Sequence, residues 1–555
     1  MMVISAGALR PLWATVALIL VLWFLRVFYQ GLSTRLRFRG MKAQGLPVPH
    51  PHSWLLGHIP LMKSLKEGLP KDAHDTYVHR KLVISWREYF PQEKQECPPV
   101  IYLDLWPLLS QPFVLATSPE ACYQLTQKDP QPRHSMFSWA MSPVTGGKDL
   151  MSMDIPTHRL WRSRLNPGFS MQNILSQFPI FIQEVGIFAT QLKSNVGADG
   201  GYGDSFTLFD KSSALTFDII TRTSVDLRLR EQTEGPTPMF RALRRLITHV
   251  KARNLRTIIG RLTPSYRHDV AVNSRTLDDT LLPQIKSRLR PETSSQRTVI
   301  DLAVSQLREE AAIKSVEPNE EFIAIVLSQL KLFVMAGHDT TAQAICWLLY
   351  EIGKSPHVLS QLRAEHDEVL GPDPKAAEKV LSDHPNKLNA LCFTTAVIKE
   401  SLRLHPIGAT HRQGSPAFKI VHRGVVYPTD DCLIFTSPTA VHLRPDLWPR
   451  VAEFLPERFL VTEGHPLHPV KNAWRPFELG STRCIGQELA MIEMKLVLVL
   501  MIRELDFTFD GEQGSPSRGI KEHRESVNGE HIYRAGNGLG TPKDKMPMRV
   551  RLRLH

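Results

Sequence analysis

Phe477-Glu478-Leu479-Gly480-Ser481-Thr482-Arg483-Cys484-Ile485-Gly486, followed by the helix-like run Gln487 to Leu500, is the stretch on which the reading of this chain turns. A cysteine just ahead of a helix start faces unpaired N–H groups and the positive end of the helix dipole, and both stabilise a thiolate. Thiolates suit soft or borderline metals, and one that donates strongly to haem iron favours O–O cleavage on the far side, so Cys484 reads as an iron ligand. Gly480 and Gly486 would let the backbone turn tightly around the sulfur and approach a flat macrocycle, since neither carries a Cβ. The plainer alternative is a buried structural cysteine, the usual fate of a free thiol.

The loop resembles the haem-binding loop of the cytochrome P450 family, Phe-x-x-Gly-x-Arg-x-Cys-x-Gly, with Phe477, Gly480, Cys484 and Gly486 in register. Two positions depart from that pattern. The family's Arg falls on Thr482, with Arg483 directly beside the cysteine, and Ile485 stands where proline is often found. One contact to a haem propionate must therefore come from Arg483 or from another cation.

Three more motifs follow the family's order and extend the resemblance over most of the chain. Ala336-Gly337-His338-Asp339-Thr340-Thr341 interrupts a long apolar, helix-periodic stretch from about Glu320 to Ile352. Gly, Asp and Thr in mid-helix are locally unfavourable, and such violations mark function. The resemblance assigns Ala336 and Gly337 to a groove over the iron, and Asp339 and Thr340 to proton delivery. Glu400 and Arg403 lie three apart in a helical run from Leu388 to Leu404 that Pro406 stops, close enough to pair. With Arg458 of Pro456-Glu457-Arg458-Phe459, the family pattern makes them a buried structural network beneath the haem. Propionates need cations, preferably Arg. The family's Trp-x-x-x-Arg appears as His158-x-x-x-Arg162, and Arg412 matches a third propionate position.

From Pro11 to Leu25 no residue is charged, and the apolar run resumes with Val27-Phe28-Tyr29 after Arg26. About 18 to 20 such residues can cross a bilayer, with Arg26 snorkelling. Arg26, Arg35, Arg37, Arg39 and Lys42 follow the segment against Arg10 alone before it, so the positive-inside bias keeps the remainder in the cytosol. The expected layout is a short lumenal terminus at 1–10, a transmembrane signal anchor at 11–30, a basic segment with a proline-rich hinge at 31–60, and one catalytic domain at 61–555. A cleaved signal peptide is the competing reading, but no small-x-small site follows. Six cysteines without CxxC pairs read as reduced thiols in a cytosolic compartment.

No linker or fixed-period repeat divides the body. Helical periodicity dominates from about 155 to 405, and β-type runs such as Cys432–Thr436 and Met548–Leu552 flank the cysteine loop. The expected fold class is mainly α with small β-sheets, a single large domain behind its anchor. Pro291–Ser295 reads as a surface loop and Asp510–Lys545 as a surface excursion. Net charge is +12, but the cations are spread out and not interleaved with aromatics, which excludes nucleic acid as the partner. Anionic membrane lipid beside the anchor and an acidic reductase face suit that balance.

No Gly-x-Gly-x-x-Gly follows a strand, so the chain holds no flavin or nicotinamide and electrons come from elsewhere. The resemblance implies haem b on Cys484, dioxygen, and an NADPH-dependent cytochrome P450 reductase on the endoplasmic reticulum membrane, with cytochrome b5 as an optional second donor. The expected activity is insertion of one oxygen atom into a hydrophobic small molecule. Met136, Phe137, Trp139, Met141, Met151 and Met153 would form one wall of its pocket. Trp54–His58, Asn166–Ser170 and Cys484–Ala490 look most like filamentous-fungal members, many of which act in secondary metabolism. A fatty-acid or alkane hydroxylase is the enzymatic alternative and a haem-binding sensor the non-enzymatic one. The Asp339–Thr340 pair speaks against a sensor, and against a relative that only rearranges peroxides.

Overall fold

The computed structural model describes residues 6–92, 96–251, 254–289, 298–314, 320–510 and 525–553. The loop expected at Pro291–Ser295, residues 1–5 of the terminal segment and residues 511–524 of the Gly-rich segment lie outside them. Helix α1 (Ala6–Ala43) does not stop where its apolar residues stop, but runs on through the basic segment. Gly31, Arg35, Phe38 and Met41 recur at helical spacing, and this face is buried against the body. Arg35, one of the cations expected to face lipid, is therefore only 2% exposed. The proline-rich strap that follows is pinned to β1 (Val100–Leu103), Tyr102 N–H donating to the Pro47 carbonyl at 3.0 Å.

The helices that matter for the site come next in order: α2 (Ser135–Thr145), α3 (Ile155–Leu165), α4 (Phe178–Lys193), α5 (Leu208–Val225), α6 (Pro238–Ile247) and α7 (Pro264–Arg288). After them come α8 (Glu320–Gly353), α9 (Cys392–Leu404) and α10 (Gln487–Met501). Asp154 caps α3 by accepting the Thr157 N–H, and Pro156 sits in the first turn, where a missing N–H costs nothing. Glu320 and Glu321 open α8 with the charge its dipole favours. Apolar nearly all round, α8 is the core helix, with Trp347, Leu348 and Leu349 buried.

Helix α5 lies along α8, and the reason is Gly337. A Cβ there would stand 2.7 Å from Ile220 of α5, so only glycine allows this approach. The main sheet takes the order β1, β2 (Phe113–Ala116), β7 (Leu433–Thr436), β4 (Thr410–Gln413), with β2 and β7 parallel and the other pairs antiparallel. The remaining strands make a two-stranded hairpin of β5 (Lys419–His422) and β6 (Val425–Pro428), and a three-stranded sheet in which β11 (Pro547–Leu552) pairs with β3 (Phe206–Thr207) and β8 (Leu505–Phe509).

The described part of Asp510–Lys545 is not a surface excursion. It carries the short pair β9 (Arg534–Ala535) and β10 (Thr541–Pro542), and Ile532, Tyr533 and Arg534 are buried. Arg534 donates from Nη1 to the Pro406 carbonyl at 2.8 Å and from Nη2 to that of Ile407 at 2.6 Å. The segment is thereby clamped to the chain just past α9. One arginine surrounded by carbonyl oxygens does this, and glycine-rich sequence around it gives no hydrophobic signal of burial.

Candidate active site

The cysteine loop is held open by its own backbone. Cys484 N–H donates to the Phe477 carbonyl at 2.8 Å and Arg483 N–H to that of Gly480 at 3.2 Å. Gly480 sits at φ +89°, and a Cβ there would fall 2.0 Å from the Thr126 carbonyl oxygen, so the position admits no other residue. Gly486, the residue before α10, is different: nothing lies within 4 Å of where its Cβ would be. Cys484 is solvent-accessible. Loss of water around the sulfur within the loop pushes its thiol pKa up, while the Gly486 N–H and the charge of Arg162 pull it down.

Cations gather beside it. Arg162 on α3 donates from Nη1 to the Arg483 carbonyl at 2.8 Å and from Nε to Asn166 Oδ1 at 2.7 Å. Arg412 on β4 donates from Nη2 to Thr482 Oγ1 at 2.6 Å and from Nη1 to the Gln131 carbonyl at 3.0 Å. Arg133, in the loop ahead of α2, reaches the same Thr482 through its carbonyl at 3.3 Å and holds the Leu150 carbonyl at 2.8 Å. Sequence reasoning missed Arg133. Its only local mark is the flanking Pro132 and the α2 start, which say nothing of a site. His158 is buried on α3, and its pKa is pushed down to about 4 by burial and then by Arg133, Arg162 and Arg412. Arg483 itself is exposed.

Carboxylates fit this cluster. Among the described residues neither Arg133 nor Arg412 has an acidic partner, and the Nε of each is buried without any acceptor. Burial and the neighbouring Arg412 push Arg133 down to about 9, and burial lowers Arg412 too. A buried guanidinium with an idle N–H is costly unless an anion meets it, and a propionate is such an anion.

Helix α8 packs against α10, the helix that begins just after Cys484. Its middle is buried except for Ala336, Gly337 and Thr340, which remain half-open within the core. Thr340 Oγ1 donates back to the Ala336 carbonyl at 2.6 Å, the local backbone bond expected of a mid-helix Thr. Asp339 is buried and accepts from Gln343 Nε2 at 3.1 Å. Met136, Phe137, Trp139, Met151 and Met153 are half-buried on or after α2, and Met141 is buried. Gln329 of α8 fixes their loop by accepting the Leu150 N–H at 2.9 Å and donating to the Lys148 carbonyl at 3.1 Å.

Behind the loop, Glu400, Arg403 and Arg458 have fully buried side chains. Arg403 grips Glu400 with two bonds of 2.8 Å and also donates to the carbonyls of His442, Val451 and Glu453. Arg458 Nε adds a bond of 3.1 Å to Glu400 Oε1.

A cytochrome P450 family model matches residues 95–527. The chain belongs to the cytochrome P450 family. It is 36% identical over 542 residues to cytochrome P450 monooxygenase polC of Polytolypa hystricis, an alignment covering 95% of this chain and 93% of that one. Similarity to acrF of Aspergillus aculeatus is 27% over 475 residues, covering 81% and 93%, and to human cytochrome P450 4F8 it is 26% over 529, covering 90% of each. The solved cytochrome P450DA haem domain superposes with a TM-score of 0.66 at 20% identity, covering 92% of this chain and 98% of that one, which is likeness of fold alone. This P450 is accordingly a haem-thiolate monooxygenase, using dioxygen, electrons from a reductase partner and a hydrophobic substrate. Its N-terminal helix is long and apolar enough to anchor it in a membrane.

Proposed function

We propose that this P450 inserts one oxygen atom into a sizeable hydrophobic intermediate of fungal secondary metabolism, at the endoplasmic reticulum membrane with the catalytic domain in the cytosol. The observation that carries the site is the convergence of Arg133, Arg162 and Arg412 on Thr482 and Arg483, next to Cys484, with His158 buried beside the three arginines. Haem b bound there supplies dioxygen binding and activation. Cys484 would hold it through sulfur, and Arg133, Arg162, Arg412 and His158 would meet its propionates, Arg412 and Arg133 replacing the Arg that Thr482 displaces. Thr482 serves as the acceptor that orients Arg412.

Ala336 and Thr340, one turn apart, form the strip of α8 facing the reacting centre, whereas Gly337 turns towards Ile220 of α5 and lets that helix approach. Thr340 Oγ–H, which donates to the Ala336 carbonyl, would hold a proton at the face of α8 towards the substrate, and Asp339, steadied by Gln343, would be the group that resupplies it. Phe137, Met141, Met151 and Met153, which pack into the core around α8, would exclude water and accept an irregular apolar skeleton, whereas Met136 packs against the cluster of Leu61 and Leu65 and Trp139 lies under Arg261. Glu400, Arg403 and Arg458 hold the backbone beneath the cysteine loop. NADPH-cytochrome P450 reductase delivers the electrons. Higher identity to the fungal monooxygenase polC than to human 4F8 supports the filamentous-fungal reading.

The test is high-resolution mass spectrometry of the host with and without this chain. A compound that accumulates in the deletion, matched by loss of a product one oxygen heavier on a polycyclic or polyketide-like skeleton, is expected. Unchanged metabolites with altered hydroxy fatty acids would overturn the pathway assignment.

A further inference from the structure

The turn of α8 that carries Ala336 and Thr340 is held from behind. At about 100° per residue, His338 stands about 200° round the helix from both, on the side that meets α5 and α6. Its ring is fully buried, T-shaped to Phe217 of α5 with centroids 5.7 Å apart and to Phe240 of α6 at 5.9 Å. Nδ1 donates to the Val334 carbonyl at 2.8 Å. That bond fixes the tautomer and leaves Nε2 a buried acceptor that no donor among the described residues meets. Burial pushes the imidazole pKa down and keeps the ring neutral.

The grip on the backbone comes from α5. Thr216 Oγ1 lies 2.8 Å from the His338 carbonyl oxygen, and 2.9 and 3.3 Å from the Ser212 and Ser213 carbonyls of its own helix. A hydroxyl has one proton to donate among the three. The two local contacts come with the rotamer, since Thr221 makes the same pair to Phe217 and Asp218, and Thr223 to Ile219 and Ile220. The crossing to α8 comes instead from packing, and it is the shortest of the three. Gly337 makes it possible, because a side chain there would push α5 away at Ile220. The carbonyls of Val334, Ala336 and His338 thus each meet a side-chain donor, from His338, Thr340 and Thr216. Such donors draw helix carbonyls away from their i+4 amides and bend the helix locally. Of these three donors, Thr216 alone belongs to another helix.

We propose that Thr216 is a positioning residue for the oxygen insertion: its hydroxyl holds the His338 carbonyl from the α5 side and so sets the tilt of the α8 turn that presents Ala336 and Thr340. The inference rests on the reading of Thr340 as the group that holds a proton towards the substrate. It makes the packing of α5, which lies on the far side of α8 from that strip, part of what aims the Thr340 hydroxyl.

The test uses the full, haem-loaded chain, reduced and saturated with carbon monoxide, whose infrared stretch responds to the dipoles facing it. Thr340→Ala gives the reference shift. Thr216→Val keeps the shape and removes the hydroxyl, and is expected to move the band in the same sense, while Thr216→Ser restores it. Thr221→Val loses the same local bonds on α5 and should leave the band in place. Amide exchange in the peptide spanning residues 334–341 should be about fivefold faster in Thr216→Val, what one hydrogen bond is worth in a local opening equilibrium, and unchanged in Thr221→Val. A wild-type band and wild-type exchange in Thr216→Val, beside a shifted Thr340→Ala, overturn the inference and leave Thr340 standing. Equal shifts in Thr216→Val and Thr221→Val also overturn it, because general loosening of α5 would explain both. An unshifted Thr340→Ala overturns the reading of Thr340 itself. If Thr216→Val holds no haem, Thr216→Ala decides by the same two measurements.

Discussion

Replacing Arg133 by Leu should move two properties of the protein in opposite directions. Burial and then Arg412 push Arg133 well below its ordinary value, to about 9, so near neutral pH its charge costs the haem-free fold on the order of 5 kcal/mol at about 1.36 kcal/mol per pH unit. The sign follows from a cation whose folded pKa is depressed: the penalty is complete below about 9 and fades only as pH climbs above it. Leucine removes that cost and forfeits two hydrogen bonds, to Leu150 and Thr482, of about 1 kcal/mol each. Haem-free Arg133→Leu should therefore be more stable than wild type by about 3 kcal/mol in urea unfolding. With haem bound, the same change deletes a charge-assisted bond to a propionate, about 1.5 to 3 kcal/mol, so haem should pass to excess apomyoglobin roughly 10- to 100-fold faster. If the haem-free variant were no more stable and released haem at the wild-type rate, Arg133 would be an ordinary loop cation and the propionate cluster would have to be redrawn.

Three further outcomes are expected. Arg403→Leu strands a buried Glu400 and three backbone carbonyls, costing about 3 to 5 kcal/mol for the ion network alone, so little haem-loaded protein should be recovered in reduced carbon-monoxide difference spectra. Normal haem content would remove the network from the reading. Thr340→Ala should keep NADPH consumption but cut coupled product toward the roughly 10²-fold contribution of a positioned proton donor, and intact coupling would end the relay assignment. Asp218 is pushed up to about 6 from 3.8 by burial, with Glu184 and Glu231 adding. A raised carboxyl pKa favours the protonated fold, so its contribution is lost as pH rises through 6, by about 1 kcal/mol between pH 5.5 and 7.5. Melting curves of Asp218→Asn should lack that part of the pH slope, and an unchanged slope would refute the assignment.

Periodic, single-segment features were legible in the sequence. The helix expected from about Glu320 to Ile352 spans Glu320–Gly353, and the run after Cys484 forms a helix over Gln487–Met501. Both carry strong apolar patterns, and both are bounded by residues whose end preferences are local. The run from Leu388 begins as an α-helix only at Cys392, behind a 3₁₀ turn over Pro385–Asn389. Gly480 was legible as a tight approach, although the partner it approaches, the Thr126 carbonyl, was not. What escaped reading were contacts across hundreds of residues made by single polar side chains. Arg35 to Asp104, Arg133 to Thr482 and Arg534 to Pro406 leave no periodic trace, because one side chain satisfying a carbonyl imposes nothing on its neighbours. Charge counting misled for the same reason, since an arginine inside the protein and one facing lipid look alike in a composition.

That last point narrows the site further. Arg35, Arg403, Arg412, Arg458, Arg475 and Arg503 are among the largest fully buried side chains, yet they are not equivalent. Arg35 has Asp104, Arg403 and Arg458 share Glu400, Arg475 has Glu478 and Arg503 has Asp367. Among the described residues, three arginines combine an idle buried nitrogen with the lack of an acidic partner: Arg133, Arg261 and Arg412. Arg261 has a substitute, since its guanidinium stands 3.5 Å over the Trp139 ring. Arg534 lacks an acid as well but spends its donors on carbonyls. Among the described arginines, those with an idle buried nitrogen and neither an acid nor a ring to meet it thus reduce to Arg133 and Arg412, both on Thr482, two residues from Cys484. A fold keeps an unpaired buried cation only where something else completes it. Thr482 in the family's Arg position is then a change of geometry and not a lost function: restoring the family residue with Thr482→Arg should add a third guanidinium to an already repulsive pair and weaken haem retention, whereas tighter retention would show that the cluster is one cation short.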